Sequence, residues 1–183
     1  MSPARRRRLF WLLGAIAVVG YALDQSTKAA AVATLTGQPP RDLVGSFLRL
    51  SLIRNPGAAF SLGTGSTWVL TLIAVAVLVV VIRTSRRIGS AGWAWALGLL
   101  LGGALGNLTD RMVREPGFGR GHVVDFIDYH GVFIGNVADI AIVSAALLIG
   151  ILAVAGVGVD GTRERARPAA RHASETHNDA DPR

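Results

Sequence analysis

Two aspartates, Asp125 in V-V-D-F-I and Asp139 in N-V-A-D, bound the stretch Val123–Asp139, which leads into the uncharged apolar segment Ile140–Val159. A carboxylate at a membrane boundary is expensive to desolvate, so finding one there points to a use. Two brought together share one proton, because neighbouring like charges do not both ionise cheaply. Such a pair can take a proton from water while donating one to a carbonyl oxygen. That is hydrolytic chemistry, and it requires neither a metal nor a covalent intermediate.

Four polar constellations accompany the pair. In Asp24-Gln25-Ser26-Thr27-Lys28, Asp24 and Lys28 are four apart and share a helical face, where opposite charges pair. On its own this is an interfacial salt bridge ending a helix. Asn55-Pro56-Gly57-Ala58-Ala59-Phe60-Ser61 follows an alternating strand and reads as a strand-to-helix turn whose small residues allow close backbone approach. In Gly102-Gly103-Ala104-Leu105-Gly106-Asn107-Leu108-Thr109-Asp110-Arg111, Gly102 and Gly106 make a small-xxx-small helix contact, and Asn107 shares a face with Asp110 and Arg111. Burying those three without partners would cost several kcal/mol, so the bland reading is a structural ion-pair cluster. Finally, Asn136 and Asp139 are three apart, so the amide can orient the carboxylate. His122, Asp128 and His130 lie nearby but are read as solvated loop residues outside the core of the site.

The elements that must position these groups are membrane spans. Of 183 residues 51% are hydrophobic and only 17% charged, with the charges clumped at the ends and between apolar blocks. The blocks run Leu9–Leu23, about Trp68–Ile82, about Trp93–Leu105 and about Asn136–Val159. The first three fall short of the ~20 residues that cross a bilayer, so the flanking polar motifs must lie inside the helices' outer ends. Trp68, Trp93 and Trp95 at block edges fit interfacial anchoring. Leu9–Leu23 has the length of a secretory signal, but no small-x-small cleavage site precedes D-Q-S-T-K, and it is expected to remain as the first span. Phe47–Arg54 alternates at Leu48, Leu50 and Leu52 and predicts a half-buried strand; His122–Ile127 predicts a second. The fold class expected is therefore all-α and membrane-embedded, four transmembrane helices carrying a small extracytoplasmic β-sheet platform. Residues 1–8 form a basic cytoplasmic head, 9–159 the membrane domain and 160–183 a disordered cytoplasmic tail.

Four spans put both termini on one side. Arg5–Arg8, Arg83, Arg86, Arg87, Arg163, Arg165 and Arg167 all fall there, which makes that side cytoplasmic. Ala29–Thr67 and Thr109–Gly135 then lie outside with every motif above, although Lys28, Arg41, Arg49 and Arg54 dilute the asymmetry. The net charge of +7 does not indicate nucleic acid, since the basic residues flank apolar blocks and are not interleaved with aromatics on a polar segment. The absence of Cys excludes thiol catalysis and disulfides.

In this order, D-Q-S-T-K, N-P-G-A-A-F-S, G-G-A-L-G-N-L-T-D-R, V-V-D-F-I and N-V-A-D resemble the lipoprotein signal peptidases (signal peptidase II) of bacteria, over most of residues 9–159. The resemblance implies a four-helix membrane aspartyl peptidase with a small outer β-platform and a mobile outer loop. It implies a diacylglyceryl-modified prolipoprotein as substrate, cut just before the lipidated Cys, and inhibition by the cyclic peptide globomycin. Carried over motif by motif, Asp125 and Asp139 are the catalytic pair, and Asp24, Lys28, Asn55, Asn107, Arg111 and Asn136 support them or touch substrate. No cofactor is expected, membrane lipid is the surrounding partner, and the chain is expected to act as a monomer. One departure stands out: Gly135 occupies the place before Asn136 where the family usually has an aromatic. The linker between the two acids also looks short.

A small transporter or channel using Asp24, Asp110 and Asp139 is the alternative from another class. An ion path should place polar groups at several depths, whereas the centres of all four blocks are apolar. A scaffold subunit would explain the glycine faces but not the acids.

Overall fold

The computed structural model describes residues 2–57 and 67–163. Four helices are long and apolar enough to cross a membrane: α1 (Pro3–Leu35), α2 (Thr67–Ser85), α3 (Ala91–Val113) and α4 (Val137–Val154). All four reach beyond or begin inside the apolar blocks. Helix α1 continues twelve residues past Leu23, α3 eight past Leu105, so D-Q-S-T-K and G-N-L-T-D-R are helical, as the short blocks require. The connection after the first helix accordingly starts after Leu35 and not at Ala29. At the other end, the basic head is no separate segment but the first turns of α1.

Glycine sets how closely the helices approach. A Cβ at Gly102 would lie 2.7 Å from the Ala17 carbonyl oxygen, and one at Gly106 would lie on the Asp24 carboxylate. Gly98, one turn earlier, faces Ile16 and Leu13 in the same way, so one stripe of α3 presses on α1. Gly103, on the adjacent face, lets α4 in at Ala138. Small-residue contact of this kind packs helices where lipid supplies no hydrophobic drive.

Between the helices the chain forms a four-stranded antiparallel sheet in the order β1 (Arg41–Val44), β2 (Leu48–Asn55), β3 (Val123–Tyr129) and β4 (Phe133–Gly135). The two predicted strands are β2 and β3; β1 and β4 are too short to leave a period-two pattern. The pleat of β3 decides where its acid goes. Val124 and Phe126 are buried with Ala31 and Leu35 at the end of α1, and Leu50 and Leu52 of β2 pack on the same cluster. Successive side chains alternate across a strand, so Val123 and Asp125 face the other way, into a cavity. A bulge between Leu50 and Ile53 of β2 adjusts the register beside Asp125.

Asp128 corrects the expectation of a solvated loop acid. It is 2% exposed, pairs with Arg49 at 2.7 Å, and accepts the Gly131 N–H that closes the β3–β4 turn. Burial and this pairing make it part of the sheet's framework.

Candidate active site

The local structure of each polar motif is set by a donor that needs an acceptor. Asn136 is the N-cap of α4: its side-chain oxygen accepts from the Asp139 N–H (3.1 Å), and Asp139 Oδ2 accepts from the Asn136 N–H (3.0 Å). This reciprocal capping box satisfies two amides that a helix start would leave orphaned. It also locks the Asp139 side chain. The expected amide-to-carboxylate contact is thus made by the backbone of Asn136, while the side-chain amide does something else. Its Nδ2 donates to Asp125 Oδ1 at 2.6 Å and to Asn107 Oδ1 at 3.2 Å.

Both carboxyls have both oxygens engaged. Asp125 Oδ2 accepts from Asn55 Nδ2 at 2.9 Å, and Asp139 Oδ1 accepts from Asn107 Nδ2 at 3.0 Å. Asp125, Asp139, Asn55, Asn107 and Arg111 all line one cavity of about 260 Å³. Burial pushes the Asp125 carboxyl up to about 6; the amide of Asn55 opposes the rise, the charge of Asp139 adds to it, and Asn136 and Lys28 pull it back.

Beneath the pair sits Lys28, fully buried. Its ammonium has three protons and meets three acceptors, Asp24 Oδ2, Asp110 Oδ2 and Asn107 Oδ1, each at 2.9 Å. Each acceptor in turn holds part of the site. Asp24 Oδ1 accepts the Ala138 N–H, beside Asp139, at 2.9 Å. Asp110 Oδ2 accepts the Val124 N–H, beside Asp125, at 3.2 Å. Asn107 reaches Asp139 directly. Lys28 therefore ties α1 and α3 to the two segments that carry the acids.

Arg111 lies in the cavity wall, 7% exposed. One guanidinium nitrogen reaches the Gly57 carbonyl oxygen at 3.4 Å, and the other, Nη1, has no hydrogen-bond partner among the described residues. A buried donor without an acceptor is costly, and this one borders the space between the acids.

All eight residues singled out in the sequence converge here: Asp125, Asp139, Asn55, Asn107, Arg111 and Asn136 around the cavity or its bridging amide, Asp24 and Lys28 in the layer below. Ala58-Ala59-Phe60-Ser61 lie outside the described residues. Two contributors were not among the eight. Asp110, read as part of an ion-pair cluster, is fully buried and fixes β3; its spacing of three from Asn107 was the available signal. Phe133 stacks on Tyr129, with ring centroids 6.1 Å apart, and walls the cavity. A Cβ on Gly135 would sit 2.6 Å from the Phe133 ring and 3.0 Å from Asp139 Oδ2. Position 135 is thus glycine because the ring of Phe133 fills that space.

Comparison with known proteins bears on what this cavity is for. A family model described as "Signal peptidase (SPase) II" matches residues 16–155. A protein named lipoprotein signal peptidase from Streptomyces griseus is 49% identical over 162 residues, covering 88% of this chain and 83% of its own length. Proteins of the same name from Rhodococcus jostii and Mycobacterium tuberculosis are 50% and 47% identical, over 87% and 90% of this chain and 79% and 81% of theirs. Two bacterial membrane enzymes solved by the in meso method superpose with TM-scores of 0.67 and 0.65, at 27% and 29% identity, over 83% and 76% of this chain and 92% and 90% of theirs.

Proposed function

Since the chain belongs to the signal peptidase II family, a multi-pass membrane protease that removes signal peptides from prolipoproteins, we propose that it does so as an aspartyl endopeptidase, with Asp125 and Asp139 as the catalytic pair. The observation that carries this is the convergence of both carboxyls on one cavity, each oxygen held by an amide and the two linked through Asn136.

With one proton on the pair, the ionised carboxylate takes a proton from water as the water oxygen attacks the scissile carbonyl carbon. The protonated partner gives its proton to the carbonyl oxygen. The tetrahedral diol then collapses: the C–N bond breaks, the nitrogen takes the proton from the carboxyl that had deprotonated water, a diol hydroxyl gives its proton to the other carboxylate, and the pair again holds one proton. The unpartnered Nη1 of Arg111 offers a donor to a substrate carbonyl. Asn55 and Asn107 orient the acids, and Asp24 and Lys28 hold the elements that carry them.

The substrate we assign is a diacylglyceryl-modified precursor, cut just before the lipidated Cys. An apolar stripe of α4, Ile140, Val143, Leu147 and Ile151, is exposed beside the cavity, and Val143 belongs to both. Acyl chains lying along it stay in hydrocarbon, where each buried CH₂ contributes about 0.8 kcal/mol. Burial of the lipid anchor then fixes the depth of the scissile bond. The arginines of the α1 start and of the α2–α3 turn lie at the end of the bundle away from the site, so we place that end and both termini in the cytoplasm and the acids near the outer face. One copy carries every group the reaction uses.

The test is a gel-shift assay on a lipidated prolipoprotein with purified protein. Asp125→Asn and Asp139→Asn should each abolish the shift while the protein still inserts, and globomycin should block the parent. Turnover by either variant within tenfold of the parent would remove that residue from the chemistry.

A further inference from the structure

At the end of the bundle opposite the acids, the start of α1 and the turn after α2 enclose a separate cavity of about 600 Å³. Three arginines line it: Arg6 and Arg7 from α1, and Arg86 from the α2–α3 turn. Its floor is apolar, made by Pro3, Phe10 and Trp11, and the last two are 52% and 74% exposed. No acid lines it. The ion pairs among the described residues involve Lys28, Arg49 and Arg114, all elsewhere. A neighbouring cavity lined by Arg83 and Arg87 differs on this point, because Asp160 lies in its wall.

Three exposed cations from two elements that line one cavity make a positive potential that favours an anion among them. Guanidinium groups suit phosphate oxygens, which they bind through paired N–H donors. The aromatic floor continues the exposed apolar surface of α1, which a lone inorganic ion would leave unused. A ligand matching both halves has a phosphate joined to hydrocarbon. Basic pockets between membrane helices hold anionic lipid headgroups by the same complementarity.

We infer that this cavity is a binding site for an anionic glycerophospholipid, its phosphate on Arg6, Arg7 and Arg86 and an acyl chain along Phe10 and Trp11. The lipid joins α1 to the α2–α3 turn, the two elements whose arginines line the cavity.

Native mass spectrometry of the full chain released from detergent micelles tests this, with dioleoyl phosphatidylglycerol and dioleoyl phosphatidylcholine as probes. Phosphatidylglycerol should be retained over phosphatidylcholine, with affinity falling about fivefold for each guanidinium removed in Arg86→Gln or in the double variant R6Q/R7Q. The double variant R5Q/R8Q removes the same charge from the same helix outside the cavity and should keep the lipid. Trp11→Ala leaves every charge in place, and so tests the apolar half even if an arginine variant inserts poorly; it should weaken retention. Inorganic phosphate should not displace the lipid. Equal retention of the two lipids, equal loss in the two double variants, unaltered binding in Trp11→Ala, or displacement by inorganic phosphate would each overturn the assignment.

Discussion

Asn136 donates its side-chain amide to Asp125 at 2.6 Å, so a helix cap reaches across to a carboxyl on the sheet. The same residue holds Asp139 through its backbone N–H. One side chain thereby registers the β3 acid against the α4 acid, and the separation of the pair depends on a capping geometry.

That dual role can be divided. Ser caps a helix about as well as Asn but is too short to reach Asp125. Asn136→Ser should keep the cap and lose about 1–3 kcal/mol from the hydrogen bonds removed at Asp125 and Asn107, while kcat for a lipidated precursor falls by about a hundredfold as the pair loses its register. Thermal unfolding and the gel-shift assay together check this. Turnover near the parent's in a folded Asn136→Ser would show that the bridge to Asp125 is dispensable.

The proposed shared proton carries an expectation for the pH profile. Burial raises Asp125 to about 6, so near neutrality the pair can hold one proton that two ordinary carboxyls would have lost. As pH rises through the upper macroscopic pKa of the pair, that proton leaves, no acid remains for the carbonyl oxygen, and kcat/KM falls. The descending limb should lie at or above about pH 6, not near the ordinary carboxylate value of ~4. Initial rates in mixed micelles between pH 4 and 9 give the limb directly, and a profile flat across that range would sink the shared-proton mechanism.

What the sequence made legible was which polar residues gather, and what it hid was how they are held. The acids and amides could be read because a charge beside an uncharged apolar segment is conspicuous, and because spacings of three and four define a helical face. Strand β4, three residues long, has no period to detect. The bridge from Asn136 to Asp125 joins residues on different elements, and no spacing along the chain encodes it. Asp110 looked like a salt-bridge residue and is one, but its second contact, to the Val124 N–H, exists only once β3 has docked.

Gly135 and Phe133 show how a local departure is absorbed. Adding a methyl group in Gly135→Ala drives the Phe133 ring or the Asp139 carboxylate out of place, since both lie within 3.0 Å of the new Cβ. Overpacking of this kind costs about 1–3 kcal/mol, and with Asp139 displaced kcat should fall about tenfold or more. Phe133→Leu alone should be tolerated better, because a shorter side chain still covers the cavity wall. Combined, G135A and F133L should recover much of the lost rate, which a steady-state comparison of the four proteins would reveal. No recovery in the double variant would mean that the ring and residue 135 do not compete for the same space.

Lys28 sets the last expectation. Removing its ammonium in Lys28→Met leaves Asp24 buried without a cation and Asp110 paired with Arg114 alone, and unpairing a buried charge costs about 3–5 kcal/mol. The loss reaches the site by two routes: Asn107 Oδ1 loses one of its two donors, and the acids that anchor Ala138 and Val124 begin to repel. If placement is the main work of Lys28, kcat should drop while KM for the lipidated precursor changes little, and the pH limb should move up only slightly, because Lys28 makes the smallest of the contributions acting on Asp125. Adding Asp24→Asn removes the stranded charge and should restore part of the stability. If Lys28→Met instead moved the pH limb by a full unit with the fold intact, the lysine would be governing the proton on the aspartates and not only their placement.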